Sequence, residues 1–209
     1  MKSKLLYTLL LVILLPFAAF SDVKEPKTGV LFSETLNQDG TQLNLAGAGV
    51  RTKMIVKVYA GALYLADEAK TGLAQFKGQA AKPGQAVYDA ISDASFPRMF
   101  VLQFVRDVDA GKITEAFEEG LSKSINLNDP EVQKDAKTFL NATGLDMKEG
   151  QQMKILLKGD EVLVTTPAGP WPAIKNKKLV PAVARIWLGT KPISEDLKKG
   201  MLNRLPEIL

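Results

Sequence analysis

The stretch from Leu45 to Leu65 constrains the fold of this chain most, because Val50 to Leu65 has the pattern of one long strand or a tight hairpin and carries an arginine. From Val58 to Leu65 almost every side chain is apolar, so both faces of an extended strand would be apolar. Such a strand belongs in the centre of a sheet that is covered on each side. Arg51 then places a permanent cation beside a buried sheet, where an isolated charge is very costly. We therefore expect an anion to face Arg51.

Two kinds of partner could supply that anion. One is a structural ion pair with Asp67 or Glu68 across a hairpin. The other is a ligand carboxylate, which the planar guanidinium can bond through two parallel hydrogen bonds. Tyr59 also has two interpretations, as a ligand contact or as a core tyrosine whose hydroxyl bonds the backbone. Gly61 shares a strand face with Tyr59 and leaves room against the sheet in which a ligand could lie.

The first 21 residues have the pattern of a secretory signal peptide: a basic start, an apolar stretch and small residues at Ala19 and Ser21. The apolar core from Leu5 to Leu15 is too short to span a bilayer, which takes about 20 residues. We predict cleavage after Ser21, so residues 1–21 are the signal peptide and residues 22–209 form one domain. The predicted location is the periplasm or the exterior, with no stable membrane span after cleavage.

Composition excludes several classes of function. The chain has no cysteine and no histidine, which removes zinc sites and Ser-His or Cys-His catalysis. We predict no metal and no other cofactor. The formal charge of +4 falls to +2 without the leader, which holds two lysines and no acid. Because no arginine-rich block is present either, nucleic acid is not an expected partner. Oligomeric state is not predicted.

The order of elements indicates an α+β protein. Strand patterns come first, and Gly47 and Gly49 interrupt them as a bulge or a close backbone approach would. Helical spacing follows over residues 113–125, and Asp129–Pro130 has the N-cap and first-turn residues of a second helix. A hairpin pattern and further helices complete the chain. This order predicts an antiparallel sheet with helices gathered on one side.

Three blocks of the sequence resemble the chalcone isomerase superfamily. The first runs from Gly47 to Arg51 and continues from Lys57 to Leu65. The second is the helical segment from Gly111 to Gly120, and the third is the ending from Ile186 to Gly189, which is similar to a bacterial exported branch. The resemblance implies an open-faced β-sandwich, in which a helical layer covers a large antiparallel sheet and a ligand cleft lies between them.

The superfamily contains isomerases that close a flavanone ring and members without that activity that bind fatty acids. By resemblance, Arg51 matches the catalytic arginine, and Tyr59 replaces a threonine of the isomerases, as it does in the fatty-acid-binding members. Ile113 and Gly120 stand where the isomerases have a tyrosine and an asparagine, and Val180 falls near a substrate-selecting serine or threonine. The resemblance therefore favours a non-catalytic protein that holds a fatty-acid-like carboxylate.

The residues proposed to hold the carboxylate are Arg51 and Tyr59. Residues expected to line the pocket are Gly61, Ile113, Phe117 and Gly120. Two alternatives remain open. An isomerase or intramolecular lyase could use Arg51 as an electrostatic catalyst and Tyr59 as a proton carrier. An envelope interaction module would have no cleft at Arg51, so a deep apolar pocket there distinguishes it from the other two classes.

Overall fold

The computed structural model describes residues 21–209. The predicted signal peptide, apart from its last residue Ser21, lies outside the described residues. The main sheet has eight strands and is antiparallel throughout. The strands within this range are β1 (Asp22–Lys24), β2 (Leu31–Ser33), β3 (Thr35–Gln38), β4 (Thr41–Lys53), β5 (Val56–Ala66), β6 (Arg98–Phe104), β7 (Gln152–Lys158), β8 (Glu161–Thr166), β9 (Gly169–Pro170) and β10 (Ile174–Lys175). The main sheet follows the order β10-β8-β7-β6-β5-β4-β3, with β9 also paired to β8, while β1 and β2 form a separate pair.

Helices cover one face of the main sheet. They are α1 (Ala69–Gly72), α2 (Gln85–Ser92), α3 (Ala110–Ser122), α4 (Gln133–Thr143), α5 (Leu179–Leu188), α6 (Glu195–Gly200) and α7 (Leu205–Ile208), with a 3-10 helix at Ala74–Gln79. Their apolar side chains join those of one sheet face in a single core cluster. The predicted α+β class is confirmed. Within residues 21–209, no helix combines the length and apolar character needed to cross a membrane.

β5 is the central strand that its sequence predicts, because apolar clusters cover both of its faces. Leu63 and Leu65 point into the cluster shared with the helices. Ala62 and Tyr64 point into a second cluster, which Phe32 of the small sheet completes. The residues in both clusters lie within 21–209, so the described part of the chain contains a large apolar core.

A β-bulge near the end of the β4–β5 hairpin changes which way Val58 faces. Arg51 lies opposite Tyr59, but the next residue, Thr52, lies opposite Lys57, which leaves Val58 without a partner. A bulge interrupts the alternation of side chains and increases the local twist. Val58 therefore joins Tyr59 in the cluster on the helical side, whereas strict alternation along the strand predicts that these two neighbours face opposite sides of the sheet.

The predicted close backbone approach at Gly49 is confirmed. Helix α6 lies so near β4 that a Cβ on Gly200 would stand 2.6 Å from the Gly49 Cα and 2.7 Å from the Ala48 carbonyl oxygen. The ladder also shifts register between Leu45 and Gly47, as the predicted bulge requires. Since the neighbours of Gly200 are backbone atoms, no side-chain rotation could make room there.

Gly200→Ala is expected to lower the free energy of unfolding by about 1–3 kcal/mol, because α6 would have to move off the sheet. The matched control is Gly111→Ala, where an added Cβ would meet nothing within 4 Å. That variant should be as stable as the wild type or slightly more stable, since alanine favours the helix. Urea unfolding of the chain from Asp22 measures both. Equal stabilities for the two variants would contradict the close packing.

The start of α4 differs from the prediction. Asp129 does not cap the helix, which begins at Gln133. Instead its Oδ1 accepts the Glu131 N–H at 2.9 Å, and its carbonyl accepts the N–H groups of Val132 and Gln133. The Asp129–Pro130 pair thus forms a separate turn ahead of the helix. The helix ends at the C-cap Gly144, a residue type that commonly ends helices.

Candidate functional site

A row of three side chains on adjacent strands forms the floor of the site. Arg51 on β4 lies opposite Tyr59 on β5, which lies opposite Phe104 on β6. Residues that stand directly opposite each other share a face of the sheet, and this face carries the helices. The Arg51 Cζ lies 5.7 Å from the centroid of the Tyr59 ring, which in turn lies 5.5 Å from that of Phe104. The bulged Val58 adds one more apolar side chain to the floor.

A cavity of about 340 Å³ lies between this floor and helix α3. Ile113, Ala116 and Phe117 of α3 form its roof, and apolar side chains dominate the lining. The lining comprises Arg51, Lys53, Met54, Val56, Val58, Tyr59, Phe104, Arg106, Asp107, Val108, Lys112, Ile113, Ala116 and Phe117. The volume falls at the lower end of the range of small-molecule sites, roughly 300–1,000 Å³. An interaction module without a cleft at Arg51 therefore does not match the structure.

The Arg51 side chain has unused hydrogen-bonding capacity. Within residues 21–209, no carboxylate oxygen lies within 4.0 Å of its guanidinium, and its buried Nε has no hydrogen-bond partner. Asp67 instead accepts hydrogen bonds from Lys70 at 2.8 Å and from Asn44 at 3.1 Å. A structural ion pair of Arg51 with Asp67 or Glu68 was therefore the wrong interpretation. The guanidinium is free to receive an anion from outside the chain.

Tyr59 is positioned as a neutral hydrogen-bond donor. It is only 2% exposed, and its hydroxyl oxygen accepts a hydrogen bond from Trp187 Nε1 at 3.0 Å. That bond replaces the backbone bond considered for a core tyrosine. Burial raises the pKa of the Tyr59 hydroxyl, and the Arg51 guanidinium offsets part of the rise, so the phenol keeps its proton at neutral pH. In the described part of the chain, no acceptor takes that proton.

Trp187 is a residue of the site that the sequence pattern does not single out. Its ring stacks on Phe100 with centroids 4.6 Å apart and meets Phe117 edge-on at 5.6 Å. These contacts fix the indole, and the indole N–H then fixes the hydroxyl of Tyr59. The sequence offered one chemical clue to this role, because the N–H group of a buried indole needs a hydrogen-bond acceptor.

Gly61 and Gly120 do not line the cavity, although both were expected to. A Cβ on Gly61 would lie 2.9 Å from Leu197 Cδ1, and one on Gly120 would lie 3.0 Å from Ile186 Cγ2. Both glycines serve helix packing instead. The space above Gly61 that a ligand was expected to use is occupied by Leu197 of α6 and by Met201. Of the predicted residues, the structure brings together Arg51, Tyr59, Ile113 and Phe117.

Charged side chains surround the mouth of the cavity. Asp107 and Lys112 each have partners there, with Asp107 bonded to Lys148 at 2.9 Å and Lys112 to Asp109 at 2.8 Å. On the other side of Arg51, a smaller and more polar pocket of about 200 Å³ is lined by two acids of α3 and by two lysines outside it, Lys53 and Lys123. Among residues 21–209, no group of three or more acidic, histidine or cysteine side chains could hold a metal ion.

Comparisons with known proteins agree with this geometry. A family model described as chalcone isomerase-like matches residues 25–203. A search of curated proteins gives no match. The crystal structure of a fatty-acid binding protein from Arabidopsis thaliana superimposes with a TM-score of 0.73, at 16% sequence identity, over 90% of this chain and 98% of that chain. At this identity the superposition shows a shared fold, and it confirms the predicted open-faced sandwich.

Proposed function

This chain belongs to the chalcone isomerase-like family, and from its site we propose that it is a non-catalytic binding protein for a fatty-acid-like carboxylate. The observation that carries the proposal is a pair of unused donors beside an apolar cavity. Among residues 21–209, the buried Nε of Arg51 has no partner, and the proton of the Tyr59 hydroxyl has no acceptor. A carboxylate has two acceptor oxygens and a negative charge, so it suits both donors.

The rest of the lining suits an alkyl tail. Val58, Phe104 and Phe117 offer apolar surface next to the two donors. Each methylene buried there contributes about 0.8 kcal/mol before ordering costs. A hydrogen bond to a charged group contributes on the order of 1.5–3 kcal/mol. Head group and tail together supply enough free energy for useful affinity. The fatty-acid binding named for the Arabidopsis protein supports the same ligand class.

We also propose that the protein works in the periplasm or outside the cell. The support is the leader pattern of residues 1–21, with its basic start, short apolar core and small residues before Asp22. In that compartment the lack of cysteine means that the fold depends on its core rather than on disulfides.

The experiment that tests the proposed function is native mass spectrometry of the protein purified from its own cells. We expect the protein ion to carry one additional mass that matches a single carboxylic acid, and this mass should be lost on organic extraction. The extracted protein should then take up one equivalent from a series running from octanoic to octadecanoic acid. Absence of a co-purifying acid together with failure to bind any member of the series would reject the proposal.

We expect the protein not to accelerate chalcone cyclisation measurably. That reaction needs a positioned phenolate and donors for the developing enolate. Ile113 has no hydroxyl, and Gly120 packs against Ile186 away from the cavity. Loss of one such donor can cost on the order of 10²–10³ in rate. Absorbance decay of a hydroxychalcone measures the rate, and a saturable acceleration that Arg51→Ala abolishes would favour the enzyme instead.

A further inference from the structure

The tip of the β4–β5 hairpin exposes apolar side chains that the fold does not need there. Met54 is 94% exposed and Ile55 92%, and the adjacent Val56 is 38% exposed. Met54 and Ile55 are the two turn residues between the paired Lys53 and Val56, and asparagine and glycine are the residues favoured in such a turn. Met54 even adopts a left-handed backbone conformation, with φ of +57°, which costs a non-glycine residue energy. Neither turn geometry nor burial accounts for these residue types.

Cations flank this apolar tip. Lys53 and Lys57 stand on either side of the tip, and Arg106 lies at the same cavity mouth. In the part of the chain that the structure describes, none of the three has a carboxylate within 4.0 Å. The nearby Asp107 and Asp109 are already paired with lysines. Lys57 Nζ also donates to the carbonyl oxygen of Lys27, and Glu115 and Glu119 of α3 share a pocket with Lys53. The tip is therefore flanked by cations that form no ion pair within the described residues.

We propose that the hairpin tip, Met54–Val56, docks together with the flanking Lys53 and Lys57 on the surface of an anionic lipid bilayer. Apolar side chains that enter the headgroup region, with lysines beside them to meet lipid phosphates, are the combination that interfacial binding requires. The inference rests on the proposed function, because it assigns the source of the ligand. Met54 and Val56 belong both to the tip and to the cavity lining, so docking sets the cavity mouth against the lipid. An acid could then pass from the bilayer to Arg51 along an apolar path.

The test is co-sedimentation of the chain from Asp22 with vesicles at low salt. One set of vesicles contains phosphatidylglycerol and phosphatidylcholine, and the other contains phosphatidylcholine alone. We expect binding to the anionic vesicles only, since each basic residue near an anionic surface contributes roughly fivefold in partitioning. Ile55→Gln removes the apolar contact without changing charge, and it should weaken binding at least about tenfold. Ile55 is not part of the cavity lining, so binding of decanoic acid in solution should be unchanged.

A matched pair of variants tests the charge term. Lys53→Gln should weaken vesicle binding roughly fivefold. Lys177→Gln removes the same charge next to Ile174 and Lys175, at the opposite end of the sheet, and should have little effect. Binding to neutral vesicles as strong as to anionic ones would overturn the proposal. So would equal effects of Lys53→Gln and Lys177→Gln.

The outcomes separate this inference from the proposed function. If the wild type binds anionic vesicles but does not bind decanoic acid, the result counts against the proposed function alone. Absence of vesicle binding, with decanoic acid still bound, counts against the docking inference alone. Sedimentation velocity of the wild type and Ile55→Gln provides the remaining check. A dimer that this substitution dissociates would assign the tip to a contact between copies and overturn the lipid proposal.

Discussion

Replacing Arg51 with alanine is expected to weaken binding of a long-chain carboxylic acid by at least about tenfold, which corresponds to roughly 1.4 kcal/mol. The reason is the loss of charge-assisted hydrogen bonds, each worth on the order of 1.5–3 kcal/mol. Isothermal titration with dodecanoic acid and dodecanol measures the effect. The alcohol shares the tail but has no charge, so its affinity should change less. Equal losses for acid and alcohol would mean that Arg51 does not hold the head group.

Two further variants sharpen this test. Arg51→Lys keeps the positive charge but replaces the flat fork of donors by a single ammonium group, so acid binding should fall between wild type and Arg51→Ala. Arg106→Ala removes another cation from the mouth of the same cavity. Because Arg106 is exposed, its attraction for the carboxylate is screened, and the loss should be smaller than for Arg51→Ala. A larger loss for Arg106→Ala would move the head-group site to the mouth.

Arg98→Met is expected to lower the free energy of unfolding by about 3–5 kcal/mol, because three carbonyl oxygens lose their donor and each unsatisfied buried group costs roughly 1–3 kcal/mol. The Arg98 guanidinium is fully buried and donates to the carbonyl oxygens of Ser92 and Ala94 at 2.7 Å and of Phe96 at 3.3 Å. It therefore ties the end of α2 and the following turn to the start of β6. Without it, the buried carbonyls lose their charged donor.

Chemical unfolding of Arg98→Met, beside Arg106→Met, measures this contribution. Arg106 is exposed and has no ion pair within residues 21–209, so its replacement should change stability by no more than about 0.5 kcal/mol. Burial lowers the pKa of Arg98 to about 10, so the guanidinium stays charged at neutral pH despite its surroundings. If Arg98→Met were as stable as Arg106→Met, the guanidinium would not be what holds this turn.

Sequence reasoning succeeded where a residue's role depends on its own strand. The apolar run through Leu63 and Tyr64 predicted a doubly covered central strand, and the glycines at 47 and 49 predicted an irregular, closely packed β4. The face of Val58 was not predictable, because the bulge depends on how the hairpin ladder shifts near Arg51. Local pattern gives alternation, whereas register is a property of two strands together.

Sequence reasoning failed where distant segments share space. The gap above Gly61 is filled by Leu197 of α6 and by Met201, the residue that follows this helix, and both are remote from Gly61 in the chain. The partner of Tyr59 is Trp187, and the partners of Arg98 are backbone carbonyls that no side-chain pattern reveals. The apolar residues at the hairpin tip were visible in the sequence, but a long strand and a tight hairpin were both compatible with that stretch. Only the turn between Lys53 and Val56 exposes them.

A crystal structure of the chain from Asp22 with hexadecanoic acid would show where the carboxylate binds. We expect one acid in the cavity under α3, with carboxylate oxygens about 2.7–3.1 Å from the Arg51 guanidinium and the Tyr59 hydroxyl. The tail should lie against Val58, Phe104 and Phe117. An acid bound elsewhere, or one in the cavity with its carboxylate turned away from Arg51, would contradict the account.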